Sequence, residues 1–258
     1  MWVIGHRGAP GLAVENSLAA LRIAVDQGAD GVEFDVALTA DSEPVLFHDD
    51  TLQRMTAQPG KLADTLWRDL RHVSQSAAGL QAQPIAHLEA VLEWWQGQRR
   101  ADPLPWLNIE LKLPTQTPTK RVRALAETVA RQLAGLPADR VVVSSFSRAA
   151  LLAFTECAPE LRRGALIDDQ PGGDWAHLLL TPQPTDDVHQ LHPPWAHLTH
   201  DTLLRWQALR QPVWTWTVND VAQWDRACQW AVDGFIAATI TDHPGALARF
   251  AEKNLPKL

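Results

Sequence analysis

The sequence predicts an α/β fold, a (β/α)8 TIM barrel with a short insertion after the second strand. Three observations carry that prediction. The chain has 258 residues, close to the ~250 of such a barrel folded as one domain. Strand-like patterns alternate with helical ones along its length, which implies a parallel sheet covered on both faces. Polar residues gather at the C-terminal ends of the strand patterns, where barrels of this kind carry their sites. One domain over residues 1–258 is expected, with no linker, low-complexity segment or short internal repeat.

The elements follow in order. Trp2 to His6 reads as the first strand. Asn16 or Ser17 caps a helix bearing Leu18, Leu21, Ala24 and Val25 on one face, and Gly28 ends it. Gly31 to Thr39 is the second strand, and after the turn Asp41-Ser42-Glu43-Pro44, Val45 to His48 pairs back beside it. Residues 50–84 lack clear periodicity and read as a capping excursion over one end of the barrel. A helix follows with Leu88, Val91, Leu92 and Trp95 at helical spacing. Trp106 to Lys112 is a strand, and Val122, Leu125, Ala126, Val129 and Leu133 mark the next helix. Val141 to Phe146 is a strand ending in hydroxyls, and Ala165–Ile167 and Val188–Leu191 are weaker ones. Val213 to Val218 is a clear strand, after which Asn219 or Asp220 caps a helix with Val221, Trp224 and Cys228. Phe235 to Ile240 is the last strand, and Pro244 opens the closing helix.

Composition narrows the function classes. Hydrophobic residues at 46% and charged residues at 21% are ordinary for a soluble globular protein. A formal net charge of -7 argues against a nucleic-acid partner, which needs a basic footprint. Cys157 and Cys228 show no metal-type spacing and no disulfide framework. The apolar run Met1 to Ile4 is too short for a signal peptide. No stretch approaches the ~20 apolar residues of a membrane span. A reducing, cytoplasmic location without membrane insertion is the expectation. Nothing in the sequence sets the oligomeric state.

Two strand patterns carry charge on one face. Val32, Phe34, Val36 and Leu38 share one side of the second strand, and Glu33 and Asp35 the other. Leu107, Ile109 and Leu111 lie opposite Asn108, Glu110 and Lys112. Alternation across a strand makes each set project together. In a sheet buried on both faces, three carboxylates and a lysine are costly unless they bind a cation and an anion. A lone histidine or Glu-x-Asp pair carries little weight. What points to a site is joint placement at strand ends: His6-Arg7, Glu33 and Asp35, His48, Glu110 and Lys112, Ser144-Ser145.

The chemistry of that set is coherent. Glu33, Asp35 and Glu110 offer hard oxygen donors suited to one divalent cation, Mg2+ or Ca2+, rather than zinc. Arg7 can grip a phosphate in bidentate fashion, and Lys112 adds a point charge. His6 and His48, with ordinary pKa values of ~6.5, can serve as acid and base near neutral pH. Together they suggest phosphodiester cleavage. Trp216 and Phe146 read as pocket walls, with a core role nearly as well supported. Ser145 reads as a donor near the phosphate, His189 and His192 as within reach of the site, and His197 and His200 as surface residues.

These residues also carry a resemblance. His6-Arg7-Gly8, Glu15-Asn16-Ser17, Gly31-x-Glu33-x-Asp35 and His48-Asp49-x-Thr51-Leu52-x-Arg54 resemble the glycerophosphodiester phosphodiesterase family. Ile109-Glu110-Leu111-Lys112, Ser144-Ser145-Phe146, Trp216-Thr217-Val218-Asn219 and Thr241-Asp242-x-Pro244 continue it over nearly the whole chain, in family order. Pro159-Glu160-Leu161 and His189-x-x-His192 make it most similar to cytosolic bacterial members.

The resemblance implies a barrel that cleaves small-molecule glycerophosphodiesters, such as glycerophosphocholine and glycerophosphoethanolamine, to sn-glycerol 3-phosphate and an alcohol. It implies metal binding by Glu33, Asp35 and Glu110, acid–base roles for His6 and His48, and phosphate contacts from Arg7 and Lys112. The glycerol C2 hydroxyl is the implied first nucleophile, giving a cyclic phosphate that water opens. Which histidine is base first stays open.

Two departures set further expectations. The capping stretch within residues 50–84, from about Thr56 to Pro84, is shortened, so a more open pocket and an altered head-group preference are expected. The segment Val232 to Asp242 is longer than usual, which suggests a bulge or longer loop near the mouth. Two alternatives stand beside the main reading. A lysophospholipase D or sphingomyelinase-D-like enzyme on the same barrel is disfavoured, because no amphipathic membrane helix is evident. A non-catalytic glycerophosphodiester-binding barrel is disfavoured by the intact His6, His48, Glu33, Asp35 and Glu110.

Overall fold

The computed structural model describes residues 1–98, 104–114, 116–168, 173–180 and 187–254. The first strand β1 (Trp2–Gly5) leads through α1 (Leu18–Asp26) to β2 (Gly31–Leu38) and its return β3 (Pro44–Leu46). The excursion then forms α2 (Gln53–Thr56), α3 (Trp67–Leu70) and a small hairpin of β4 (Ser74–Gln75) and β5 (Gln83–Pro84). Helix α4 (Leu88–Gly97) and strand β6 (Trp106–Leu111) precede α5 (Thr119–Leu133) and β7 (Val141–Ser145). Next come α6 (Arg148–Cys157), β8 (Arg162–Leu166), α7 (His177–Leu180) and β9 (Gln190–His192). The chain ends with α8 (His200–Ala208), β10 (Trp214–Thr215), α9 (Val221–Val232), β11 (Ala238–Thr241) and α10 (Pro244–Asn254).

Among the described residues, eight parallel strands run in the order β10-β11-β1-β2-β6-β7-β8-β9. Parallel bridges Leu191↔Val213 and Pro194↔Trp216 join the two ends, so the sheet nearly closes. Strand β3 pairs antiparallel on β2, the arrangement its turn implied. This is the predicted (β/α)8 barrel.

The alternation of each strand decides where its side chains go. Val32, Phe34 and Val36 of β2 and Leu107, Ile109 and Leu111 of β6 join the core beneath the helices. Ile4, Trp106, Val142, Trp214, Ala238 and Ile240 fill the barrel from inside. Trp106 and Trp214 meet edge to face there, ring centres 5.3 Å apart. The excursion has its own small core, in which Leu52, Met55, Leu62 and Leu70 pack on Val45 and Phe47. Helix starts follow their caps: Ser17 Oγ accepts from Ala20 N at 3.1 Å, and Asp220 and Gln223 form a capping box on α9.

The weaker strands moved. Strand β8 begins at Arg162, earlier than its apolar residues suggest. Buried Arg163 hides the pattern, its guanidinium donating to the carbonyls of Pro159, Leu161 and Asp187. Strand β9 is shifted to Gln190–His192, where two polar residues point into the barrel. The last strand is a correction. It is unbroken over Ala238–Thr241, without a bulge at the mouth. The extra residues, Asp233 to Ala237, form the turn from α9 at the opposite end. Among the described residues no helix is long and apolar enough to cross a membrane.

Candidate active site

Strand register assembles the site. In the β2–β6 pairing, Asp35 stands beside Glu110 and Glu33 beside Asn108. Both strands turn these side chains inward, so Glu33, Asp35 and Glu110 form one group with ligating oxygens within 4.8 Å of one another. In the β1–β11 pairing Gly5 faces Thr241, which sets the next residues, His6 and Asp242, side by side. At the top of β1, Arg7 and Gly8 are both left-handed, with φ of 52° and 87°. Gly8 is required, because a Cβ there would lie 2.5 Å from the backbone carbonyl carbon of Ala20. This turn aims the Arg7 backbone N–H at Glu33 Oε2, 2.9 Å away.

The mouth is a cavity of about 190 Å3 lined by His6, Arg7, Glu33, His48, Glu110, Lys112, Phe146, Leu166, Trp216 and Ile240. Seven of the eight residues singled out from the sequence line it, and the eighth, Asp35, lies against it through Arg7 (3.3 Å) and Lys112 (3.6 Å). Trp216 and Phe146 meet edge to face at 5.8 Å, forming an aromatic wall. The Lys112 ammonium sits 5.7 Å from the Phe146 ring centre and 3.0 Å from Glu110.

The acidic group is 4%, 1% and 7% exposed at Glu33, Asp35 and Glu110. Burial, joined by repulsion from Asp35, pushes Glu33 up to about 7 and Glu110 up to about 8. Asp35 is buried too, but Lys112, Arg7, His48 and a hydrogen bond from Asn16 hold it below the usual carboxylate range. Asn16 grips it twice, donating Nδ2–H to Oδ2 at 2.8 Å and accepting the Asp35 N–H at 3.0 Å. Three carboxylates meet two cationic side chains, which leaves negative charge uncompensated. An all-oxygen, buried donor set with that excess fits a hard divalent cation.

Each imidazole is backed by a carboxylate. His6 Nδ1 donates to Asp242 Oδ1 at 2.6 Å. Asn219 holds Asp242 from behind, donating to Oδ2 at 2.6 Å and accepting its backbone N–H at 2.9 Å. Burial lowers the His6 pKa, but Asp242 and Glu33 outweigh it and leave it raised. His48 Nδ1 donates to Asp49 Oδ1 at 2.8 Å. There burial leads and, with Lys112 and Arg7, prevails over Asp35 and Asp49, so the His48 pKa is lowered.

Some expectations fail here. Ser145 Oγ donates to Leu111 O at 3.0 Å and accepts from Ser147 N at 3.1 Å, so it braces two strand ends instead of facing the cavity. His192 is fully buried beneath the site, stacked on Trp214 at 5.5 Å and held low, at about 3, by desolvation. His189 accepts the backbone N–H of Arg163. The residues that back the site, Glu15, Asn16, Asp49, Arg54, Asn219 and Asp242, all sit in motifs visible in the sequence. Their partners are fixed by the pairing of β11 on β1 and by the excursion folded over the mouth.

A nearly closed parallel barrel with a buried acidic triad and two carboxylate-backed imidazoles at its C-terminal mouth has the make-up of a hydrolytic barrel enzyme. Residues 6–246 match the model of the glycerophosphoryl diester phosphodiesterase family. The chain belongs to that family and is an enzyme of its class. It is 30% identical over 258 residues to a glycerophosphodiester phosphodiesterase of Bacillus altitudinis, covering 97% of this chain and 98% of that one. It is 28% identical to an Oleispira antarctica phosphodiesterase solved in complex with the product sn-glycerol-3-phosphate, with a TM-score of 0.80 over 98% of this chain and 97% of that one. A Silicibacter pomeroyi structure superimposes with a TM-score of 0.83 over 99% of this chain and 94% of its own, at 22% identity, which speaks for the fold alone.

Proposed function

We propose that this chain hydrolyses small glycerophosphodiesters, such as glycerophosphocholine and glycerophosphoethanolamine, to sn-glycerol 3-phosphate and the free alcohol. The observation that carries the reading is the convergence on one cavity of a buried carboxylate triad, Arg7, Lys112 and two carboxylate-backed histidines. Glu33, Asp35 and Glu110 would hold one divalent cation, Mg2+ or Ca2+. Such an ion supplies a Lewis acid that polarises a phosphoryl oxygen.

The chain's own groups do the rest. Arg7 grips a phosphate oxygen, and Lys112 adds a second positive charge opposite it. His6 and His48 commit their Nδ1 atoms to Asp242 and Asp49, so each offers Nε2 to the substrate. One imidazole takes the proton of the attacking glycerol C2 hydroxyl, and the other protonates the leaving alcohol oxygen. Water then opens the cyclic phosphate with the roles reversed. Trp216 and Phe146 wall the organic part of the substrate. Residues 50–84 cap one side of the mouth. The free thiols Cys157 and Cys228 support a reducing, cytoplasmic setting.

One observation favours a second reading. A groove of about 740 Å3 leaves the cavity at Glu110, Lys112 and Phe146 and is lined further out by Leu113, Val122 and Leu152 together with polar Gln116, Thr119, Arg123 and Glu156. It offers room for a bulkier, acylated substituent, as in a lysophospholipase D reaction. Phosphorus NMR separates these readings. Glycerophosphoethanolamine and its lysophospholipid counterpart are each incubated with the protein and Mg2+ or Ca2+, against an EDTA control. Metal-dependent growth of a glycerol 3-phosphate signal supports the main reading. Turnover of the acylated substrate alone supports the second, and an unchanged spectrum with both removes the catalytic proposal.

A further inference from the structure

Arg54 stands outside the cavity, with its side chain 47% exposed, yet it makes four hydrogen bonds to two acidic residues. Its Nε and Nη2 donate to Asp49 Oδ2 and Oδ1 at 2.6 and 2.8 Å. Its Nη1 and Nη2 donate to Glu15 Oε2 and Oε1 at 3.0 and 2.8 Å. Both acceptors face the site: Asp49 backs His48 at 2.8 Å, and Glu15 holds Arg7 Nη1 at 2.8 Å. Arg7 in turn lies 3.3 Å from Asp35. One ion chain thus runs Asp35–Arg7–Glu15–Arg54–Asp49–His48 and ties the acidic triad to an imidazole. Helix α2 is too short to fix that end by itself, and it packs by Met55 while Arg54 points out to the two carboxylates.

We propose that Arg54 is a positioning residue. A single guanidinium sets Asp49 behind His48 and Glu15 behind Arg7, and so fixes the imidazole and the phosphate-gripping guanidinium relative to each other. The proposal rests on the roles given above to His48 and Arg7. Two bidentate grips from one side chain need the planar fork of arginine, and a lysine ammonium cannot make them. The chain is asymmetric with the other histidine, because Asp242 behind His6 is held by a neutral amide, Asn219. Around His48 the charged groups are Asp49, Asp35, Lys112 and Arg7, and Arg54 offsets the charge of the first.

The test compares Arg54→Lys, Arg54→Met and Glu15→Gln with the wild-type protein. Activity on glycerophosphoethanolamine, its pH profile and the thermal midpoint are measured for each. Wild-type turnover is the gate: a wild-type protein without activity ends the functional reading and says nothing against the ion chain. With turnover present, both Arg54 variants should lose at least ~10-fold in kcat/KM, a loss of order one charged hydrogen bond. The loss should divide into a lower kcat through His48 and a higher KM through Arg7, with a thermal midpoint close to wild type. In Arg54→Met the pH limb belonging to His48 should move upward, because Asp49 regains its full charge beside it. On the Glu15→Gln background, Arg54→Met should no longer raise KM. Rescue of full activity by Arg54→Lys overturns the proposal. So does a loss with an unmoved pH profile and a lowered midpoint, which is the signature of a purely structural role.

Discussion

With the proposed cation site stripped by EDTA, the fold should lose stability as pH rises from about 5 to about 8. Burial holds Glu33 at about 7 and Glu110 at about 8, against 4.5 for an ordinary glutamate. Across this interval the unfolded chain binds fewer protons than the folded one, so stability falls as pH rises. One carboxyl held at about 7 instead of 4.5 costs the folded state about 3 kcal/mol once both states are ionised. At 2–4 °C per kcal/mol, that is a fall of order 10 °C in Tm. His6 acts in the same direction, since its raised pKa gives stability that is full below ~6.5 and is lost as pH rises through the folded value. His48 acts oppositely, because its lowered pKa costs stability that is recovered as pH climbs through ~6.5. Asp35, held low, contributes evenly over the whole window. Scanning calorimetry of EDTA-treated protein, with and without saturating Mg2+ or Ca2+, reads the effect. Metal should flatten the decline. Glu110→Gln should raise the Tm of the chelated protein near the alkaline end and weaken the metal response. A chelated Tm that stays level or rises over this range, or a Glu110→Gln variant that melts earlier, refutes the reasoning.

Other outcomes follow from single contacts. Asp242→Asn presents an amide to His6 Nδ1 in place of a carboxylate and should cost roughly 10- to 100-fold in kcat, from a charged hydrogen bond of ~1.5–3 kcal/mol. The limb of its pH–rate profile that reports His6 should move down, and an unmoved limb with turnover within threefold of wild type counts against the assignment. His6→Ala and His48→Ala should each lose ~100-fold or more in turnover while melting near the wild-type temperature. Activity within tenfold of wild type in either variant removes that residue from the acid–base pair. Ser145→Ala should keep turnover within about twofold yet lose ~1 kcal/mol of stability by urea titration, since its hydroxyl bridges Leu111 and Ser147. A large kinetic loss there would return Ser145 to the phosphate.

Legibility in the sequence depended on how a residue reaches the site. Glu33, Asp35, Glu110 and Lys112 were legible because period-two alternation on an otherwise apolar strand leaves charge nowhere to go but inward. Strands with polar residues on the buried face were not. Arg162 and Arg163 disguised the start of β8, although one guanidinium stacks on Trp106 and the other is spent on backbone carbonyls. Ser145 departs from its expected place for a related reason. Its place at a strand end suggested a ligand contact, but local turn geometry claimed its hydroxyl first.

The residues behind the histidines show a different limit. Asp242 lies at the far end of the chain from His6, and only the closure of β11 on β1, in the register Gly5↔Thr241, makes them neighbours. Asp49 adjoins His48 in sequence, but its grip by Arg54 and the tie to Glu15 need the excursion folded over the mouth. A sequence pattern thus identifies groups that a strand aims at the site. It does not identify what holds them at a fixed angle, because that support comes from turns and from strands joined by long-range pairing. The two imidazoles illustrate the consequence. Burial disfavours the charged form of both, but Asp242 and Glu33 outweigh it at His6, whereas Lys112 and Arg7 add to it at His48. One is held above its ordinary pKa and the other below it. In the proposed mechanism such a difference raises the fraction of enzyme that carries one imidazole protonated and the other neutral near neutral pH.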